Sequence, residues 1–486
     1  MKKTISLILA VILAFSMLLP ASAAGTDAAA TAVNYDGDPI VVVRGIDFAG
    51  LVKADGSSAI SVDPFAVLDL ILDIGGYRIV NNKLGTAKAI AAFGKSIFKD
   101  LLCDQNGNSI NSGVHIPKYY DCGANLDLSD DSVWADTAVG LFRSLTRKYG
   151  GENVYLYTFD WRKSPSALAD DLNAYFTMVK SKTGASKLDV AACSMGGMVT
   201  TAYVDKYGTD VFDSVVYLSA AHNGADIVGS AFTGDLTISG NDLCDFLVSK
   251  VGGNFFVKFI VKILDILGFV DRIAGFVNDV LASYGDVIYD EFLCEVFRTT
   301  YGLWGLVPDE YFDDAVEVFY RSVDRNEYSV ALAEIAKVKE FVTSTEAIVA
   351  KLPAAGVKTS FVSHYNRNQL PIYSKSYLHG DGVLESARTS AGATFANFGQ
   401  TLTDAQIAGV AAEYISPDRV VNASTCLYPA STWIINGAGH VGCKDNSDHT
   451  EFAIWLLAQD TQPTVYSNPA YPRFMNCDAN ENFIAF

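Results

Sequence analysis

The chain has 486 residues, half of them hydrophobic, 19% charged and 12% aromatic, with a net charge of −19. Soluble domains average about 25% charged residues, so the chain is apolar for its size, and this aromatic content excludes intrinsic disorder. The acidic balance excludes a phosphate-backbone binder and hence a nucleic-acid partner, and it disfavours anionic membrane surfaces.

In chain order, Met1-Lys2-Lys3 is a short basic start, Ile5 to Leu19 is an apolar run and Ala21-Ser22-Ala23 is a small-x-small site. A run of this length is too short to span a bilayer. The three features together predict a secretory signal peptide over residues 1–24, cleaved near Ala23, and a secreted mature chain. Export permits disulfides. Of the eight cysteines, Cys103 and Cys122 flank a polar loop that a bridge between them would staple, and Cys244 and Cys294 bracket an apolar segment. Spacing alone does not give the connectivity. The absence of any C-x-x-C spacing argues against a zinc ribbon or a thioredoxin-type site.

Four apolar runs read as buried strands: Ile40 to Val43, Val154 to Phe159, Leu188 to Cys193 and Ser214 to Leu218. Helical patterns over Asp131 to Tyr149, Ser166 to Lys180 and Met195 to Tyr207 alternate with them, the last closed by Gly208. This alternation predicts an α/β fold with a parallel sheet covered on both faces. Residues 25–222 form the first part of that core. Residues 223–308 lack strand signals, are apolar and helical, and read as a cap inserted over the sheet. Residues 309–486 begin with a helical stretch over 312–352 and return to the core through strands at Val357 to Ser363 and Thr432 to Ile435. An amphipathic helix over Thr450 to Ala458 precedes a tail rich in Pro and Asn.

Leu188 to Gly197 (LDVAACSMGG) runs from strand residues straight into Ser194 and then into a helix. A nucleophilic serine on a sharp strand–turn–helix elbow needs this context, with small residues two positions to either side so that strand and helix pass closely. Here those residues are Ala192 and Gly196. The N–H of Met195 would supply one oxyanion donor. The second is expected from the loop after the first strand, at Ile46, Asp47 or Phe48, where Gly45 lets the backbone come close.

The acid and base follow the serine in this order of residues. Asp381, between Gly380 and Gly382, is the acid candidate, with Asp418 and Glu413 as rivals. Among six histidines, His440 and His449 lie late enough to serve as base, and the residues alone leave the choice open.

Several segments together resemble the lecithin:cholesterol acyltransferase group of α/β-hydrolases, which includes lipases and phospholipid acyltransferases. Pro39 to Gly45 is similar to that family's opening strand, with Arg44 where proline is usual. Asp160-Trp161-Arg162 matches its most specific motif, and Ala192 to Gly197 its elbow, with Ala192-Cys193 in place of Gly-His. Leu303 to Pro308 resembles the segment closing the cap, and Gly380-Asp381-Gly382 the acid turn. The resemblance spans residues 38–460 as scattered motifs.

It implies an α/β-hydrolase fold with a helical cap and a serine esterase or lipase acting on acyl lipids. The implied triad is Ser194, Asp381 and His449, the histidine being chosen because the family's base stands just before the final helix. The oxyanion donors would be Phe48 and Met195. Asp160 and Arg162 read as a structural ion pair. The implied partner is a lipid or other ester, met through the cap; no metal or organic cofactor is required. The rival readings are a non-catalytic interaction protein on the same scaffold and an exported thioesterase or peptidase.

Overall fold

A computed structural model describes residues 37–48, 50–60, 77–78, 80–128, 137–239 and 269–486. The expected signal peptide, the start of the helix expected from Asp131, and Cys244 lie outside the described residues.

Among the described residues, ten strands follow in chain order: β1 (Ile40–Val43), β2 (Val154–Tyr157), β3 (Leu188–Cys193), β4 (Phe212–Leu218), β5 (Lys358–Tyr365), β6 (Thr394–Phe395), β7 (Val421–Asn422), β8 (Thr432–Asn436), β9 (Phe474–Cys477) and β10 (Phe483–Ile484). Eight of them form one sheet in the order β10-β9-β8-β5-β4-β3-β1-β2, and β6 and β7 pair separately. Every neighbouring pair in the large sheet is parallel except β9 with β10. The chain is therefore an α/β protein built on a mostly parallel sheet.

Strand composition explains the layering. Side chains alternate across a strand, and in β1 Val41 and Val43 enter one core while Ile40 and Val42 enter the other. Both sets are buried, as a sheet sandwiched between helices requires. On the first face lie α3 (Pro165–Thr183), α4 (Met195–Tyr207) and, through Ile97 and Phe98, the end of α1 (Lys83–Phe98); on the second lie α2 (Thr137–Tyr149) and α9 (Asp448–Leu457). Helix α3 has a Pro at its start, a Ser164 hydroxyl accepting the Ala167 N–H at 3.4 Å, and a left-handed Gly184 at its end. These are the residues that cap a helix at low cost.

Neighbouring strands β4 and β5 are separated in sequence by a long insertion at the carboxyl end of β4. It contains α5 (Asp226–Thr233), α6 (Phe269–Ile288), α7 (Asp309–Tyr320) and α8 (Ser329–Thr343). No strand occurs among the described residues of 223–308. Phe232 of α5 stacks on Phe319 of α7 at 4.5 Å, and the fully buried Trp304 meets both rings. The helical unit thus continues past Pro308, because α7 supplies part of its aromatic core.

Two expectations are corrected. Cys103 and Cys122 are both free and buried rather than bridged. Hydrogen bonds hold the loop between them: the Tyr301 hydroxyl donates to the Gln105 carbonyl at 2.6 Å, Lys163 Nζ to Gly107 at 2.8 Å, and Thr299 Oγ1 to Cys103 at 2.8 Å. The C-terminal tail also carries two strands, β9 and β10, that extend the sheet.

Candidate functional site

Ser194 follows β3 directly and precedes α4, with φ 52° and ψ −126°. A left-handed φ at a non-glycine residue costs on the order of 1–3 kcal/mol. Tight local bonding offsets it here. The Ser194 N–H donates to Leu218 at 3.2 Å, and its carbonyl accepts from Gly197 at 2.9 Å and Ala221 at 2.8 Å. The glycines are forced by contact. A Cβ on Gly196 would lie 2.3 Å from the Val43 carbonyl oxygen, and one on Gly197 would lie 2.6 Å from Ala220 Cβ. A Cβ on Gly45 would come within 2.7 Å of Ser194 Cβ and 3.1 Å of its Oγ. The loop after β1 therefore lies against the serine.

That loop is rigidly held. Arg44 and Asp47 form a buried ion pair at 2.5 Å, and Asp47 Oδ1 accepts the Gly50 N–H at 2.8 Å. Trp161 Nε1 donates to the Asp47 carbonyl at 3.1 Å, and the Phe48 ring meets the Trp161 ring edge-on at 4.9 Å. In a trans peptide the carbonyl and the following N–H point opposite ways, so Trp161 fixes the direction of the Phe48 N–H. Met195 is the first residue of α4, and its N–H is one of those a helix start leaves without an intrahelical acceptor. Arg162 is fully buried and grips Asp160 through Nε at 2.9 Å and Nη2 at 2.7 Å. Asp160 and Arg162 thus pair structurally, and the middle residue of the motif, Trp161, is the one that reaches the site.

Asp381 lies beyond β5 on the turn around Gly382, which adopts φ 97°. Its Oδ1 accepts the N–H groups of Val383 at 2.9 Å and Leu384 at 2.8 Å, and its Oδ2 meets His440 Nδ1 at 2.8 Å. Burial pushes its pKa up, but His440, the Leu384 N–H and His364 together outweigh burial and hold the carboxyl below its ordinary value. His440 sits in the loop after β8, with a partly exposed side chain. Strands β3, β5 and β8 are aligned in parallel, so Ser194 after β3 and His440 after β8 lie at the same, carboxyl end of the sheet, and Asp381 joins them there through its bond to His440.

His449 requires a correction. The expected Asp381–His449 pair does not form: Asp381 bonds to His440 instead. His449 is fully buried in the first turn of α9, where its Nε2 meets His364 Nε2 at 2.7 Å. Position just before the final helix is the sequence signal that favoured it. The signal for His440 was its glycine-flanked loop directly after a strand. Asp418 is engaged elsewhere, accepting the Tyr365 hydroxyl at 2.7 Å.

A buried acid passed unnoticed in the sequence. Glu385 accepts the Asp226 N–H at 2.9 Å and the Tyr373 hydroxyl at 2.6 Å, while Arg388 bonds to Asp226 at 2.8 Å. This ties the start of the inserted helices to the segment carrying Asp381. Burial, aided by the Asp226 charge, raises the Glu385 pKa to about 7. Among the described residues, no cluster of His, Cys, Asp or Glu is arranged to hold a metal ion. Nor, among them, is any helix long and apolar enough to cross a membrane.

No family model matches the chain, and no curated protein matches it. Among solved structures it is similar to one titled "The crystal structure of Tle4-Tli4 complex", at 11% identity and a TM-score of 0.28, over 69% of this chain and 76% of that one. A likeness at that TM-score assigns neither fold family nor activity, so the functional reading rests on the site itself.

Proposed function

We propose that the chain is a secreted serine esterase of the α/β-hydrolase type that hydrolyses or transfers acyl groups of lipid esters. The observation that carries this reading is the Asp381–His440 hydrogen bond at the sheet edge where Ser194 stands on a strained strand–helix turn. Ser194 Oγ attacks the ester carbonyl. His440 takes its proton and returns it to the leaving alcohol, while Asp381 holds the imidazole tautomer and stabilises the imidazolium. The N–H groups of Met195 and Phe48 receive the oxyanion. Water or a second alcohol then resolves the acyl-enzyme. Side chains and backbone N–H groups carry these steps, so no cofactor is invoked. The apolar helical insertion between β4 and β5 supports an acyl-lipid substrate, since large apolar surfaces beside a site commonly bind ligand.

A p-nitrophenyl ester series tests the reading. Activity is expected to persist or rise at C8 and longer chains and to vanish in Ser194→Ala. Restriction to acetate would remove the lipid assignment, and equal turnover by Ser194→Ala would remove Ser194 as the nucleophile.

A further inference from the structure

Beneath His440 lies a second set of polar groups that the proposed mechanism does not use. Ser219 Oγ meets His364 Nδ1 at 2.8 Å, His364 Nε2 meets His449 Nε2 at 2.7 Å, and the Cys443 N–H donates to His449 Nδ1 at 3.3 Å. Ser219, His364, His449 and Cys443 are all buried. The backbone donor fixes the tautomers. His449 Nδ1 has to accept, so the neutral ring carries its proton on Nε2 and donates it to His364, and His364 then donates from Nδ1 to Ser219. Burial favours the neutral state, lowering the pKa of His364 to about 4 and holding that of His449 well below its ordinary value.

The backbone around this ring is unusual. Val441, Gly442 and Cys443 adopt φ of 64°, 75° and 24° in succession, immediately after His440. Left-handed backbone is costly for a β-branched residue, so something has to hold the run in place. The His449 ring does so by contact and by bonding. A Cβ on Gly442 would lie 2.7 Å from its Cε1 and Nε2, and its Nδ1 engages Cys443. On the other side of His440, the Gly439 carbonyl faces His364.

We propose that His449 is a positioning residue: its Nδ1 holds the left-handed Val441-Gly442-Cys443 run through the Cys443 N–H and so sets His440 on Asp381, while His364 accepts the proton that His449 carries on Nε2. This rests on the reading of His440 as the base.

Two variants separate the bond from mere occupancy of the space. His449→Asn keeps an acceptor at the Nδ1 position. His449→Gln keeps a polar group facing His364 and moves the acceptor away from Cys443. With p-nitrophenyl octanoate, His449→Gln is expected to lose kcat by about 10²-fold, the scale of misplaced general-base catalysis, with KM unchanged. His449→Asn is expected to retain most of kcat. The downfield proton NMR signal of the His440 Nδ1–H, which needs no turnover, should persist in His449→Asn and vanish in His449→Gln. Equal kcat and an equal signal in the two variants would overturn the proposal, as would His449→Gln failing to fold while His449→Asn folds. Should wild type neither turn over ester nor react with a fluorophosphonate, the enzymatic reading fails, and the NMR comparison alone still decides whether His449 sets His440.

Discussion

At the scale of single residues, the site is a set of close approaches that tolerate little added volume. A methyl on Gly45 would overlap Ser194 Cβ. Gly45→Ala is therefore expected to fold, with a small change in Tm, yet to slow fluorophosphonate labelling by an order of magnitude or more. Labelling at the wild-type rate would show that the loop does not confine the serine. Asp381→Asn keeps the shape but presents an amide to His440, and a wrong imidazole tautomer in such a triad costs about 10⁴-fold in kcat. Steady-state kinetics checks it, with a loss under tenfold arguing that Asp381 does not orient the base. The turns that carry Ser194 and Asp381 were legible because each sits in a local pattern: small residues around Ser194, glycines around Asp381. The histidine beside Asp381 was not. Choosing between His440 and His449 depends on where two loops meet, and proximity to the last helix pointed to His449, whereas Asp381 bonds His440. A buried histidine and a catalytic one look alike until their partners are seen.

At the scale of elements, strands β1, β2, β3, β4, β5 and β8 were visible as apolar runs because both faces of a parallel sheet are covered. Strands β9 and β10 were hidden, since Asn476 interrupts the four residues of β9, and β10, at the sheet's edge, has only two residues. The Asp-Trp-Arg segment was visible as a motif, but the division of labour within it was not: Arg162 ties down the preceding loop, and Trp161 holds the Asp47 carbonyl. Trp161→Phe keeps most of the packing and removes that hydrogen bond. It is expected to lower kcat more than it raises KM, because a misdirected Phe48 N–H weakens binding of the transition state and leaves the ground state unaffected. A rise in KM alone, measured on the octanoate ester, would place Trp161 in substrate binding instead.

At the scale of the whole molecule, the helical insertion is joined to the acid-bearing segment through Glu385, Asp226, Arg388 and Tyr373. A carboxyl whose pKa is raised on folding binds its proton more tightly in the native state, so it lowers stability as pH rises from its unfolded value through about 7. Glu385→Gln removes that ionisation, and its Tm is expected to fall less than that of wild type between pH 5 and 7.5. Parallel curves in a thermal scan would show that Glu385 does not carry the dependence. The acidity of the chain, read at first only as an exclusion of polyanion partners, includes this carboxyl buried where the insertion meets the core. In the proposed mechanism Ser194 is activated by His440 and not by His449. Fluorophosphonate labelling of wild type, His440→Ala and His449→Asn, with the modified residue located by mass spectrometry, separates the two histidines. A label is expected on Ser194 in wild type and His449→Asn and almost none in His440→Ala; full labelling of His440→Ala, or a label on another residue, would rule the mechanism out.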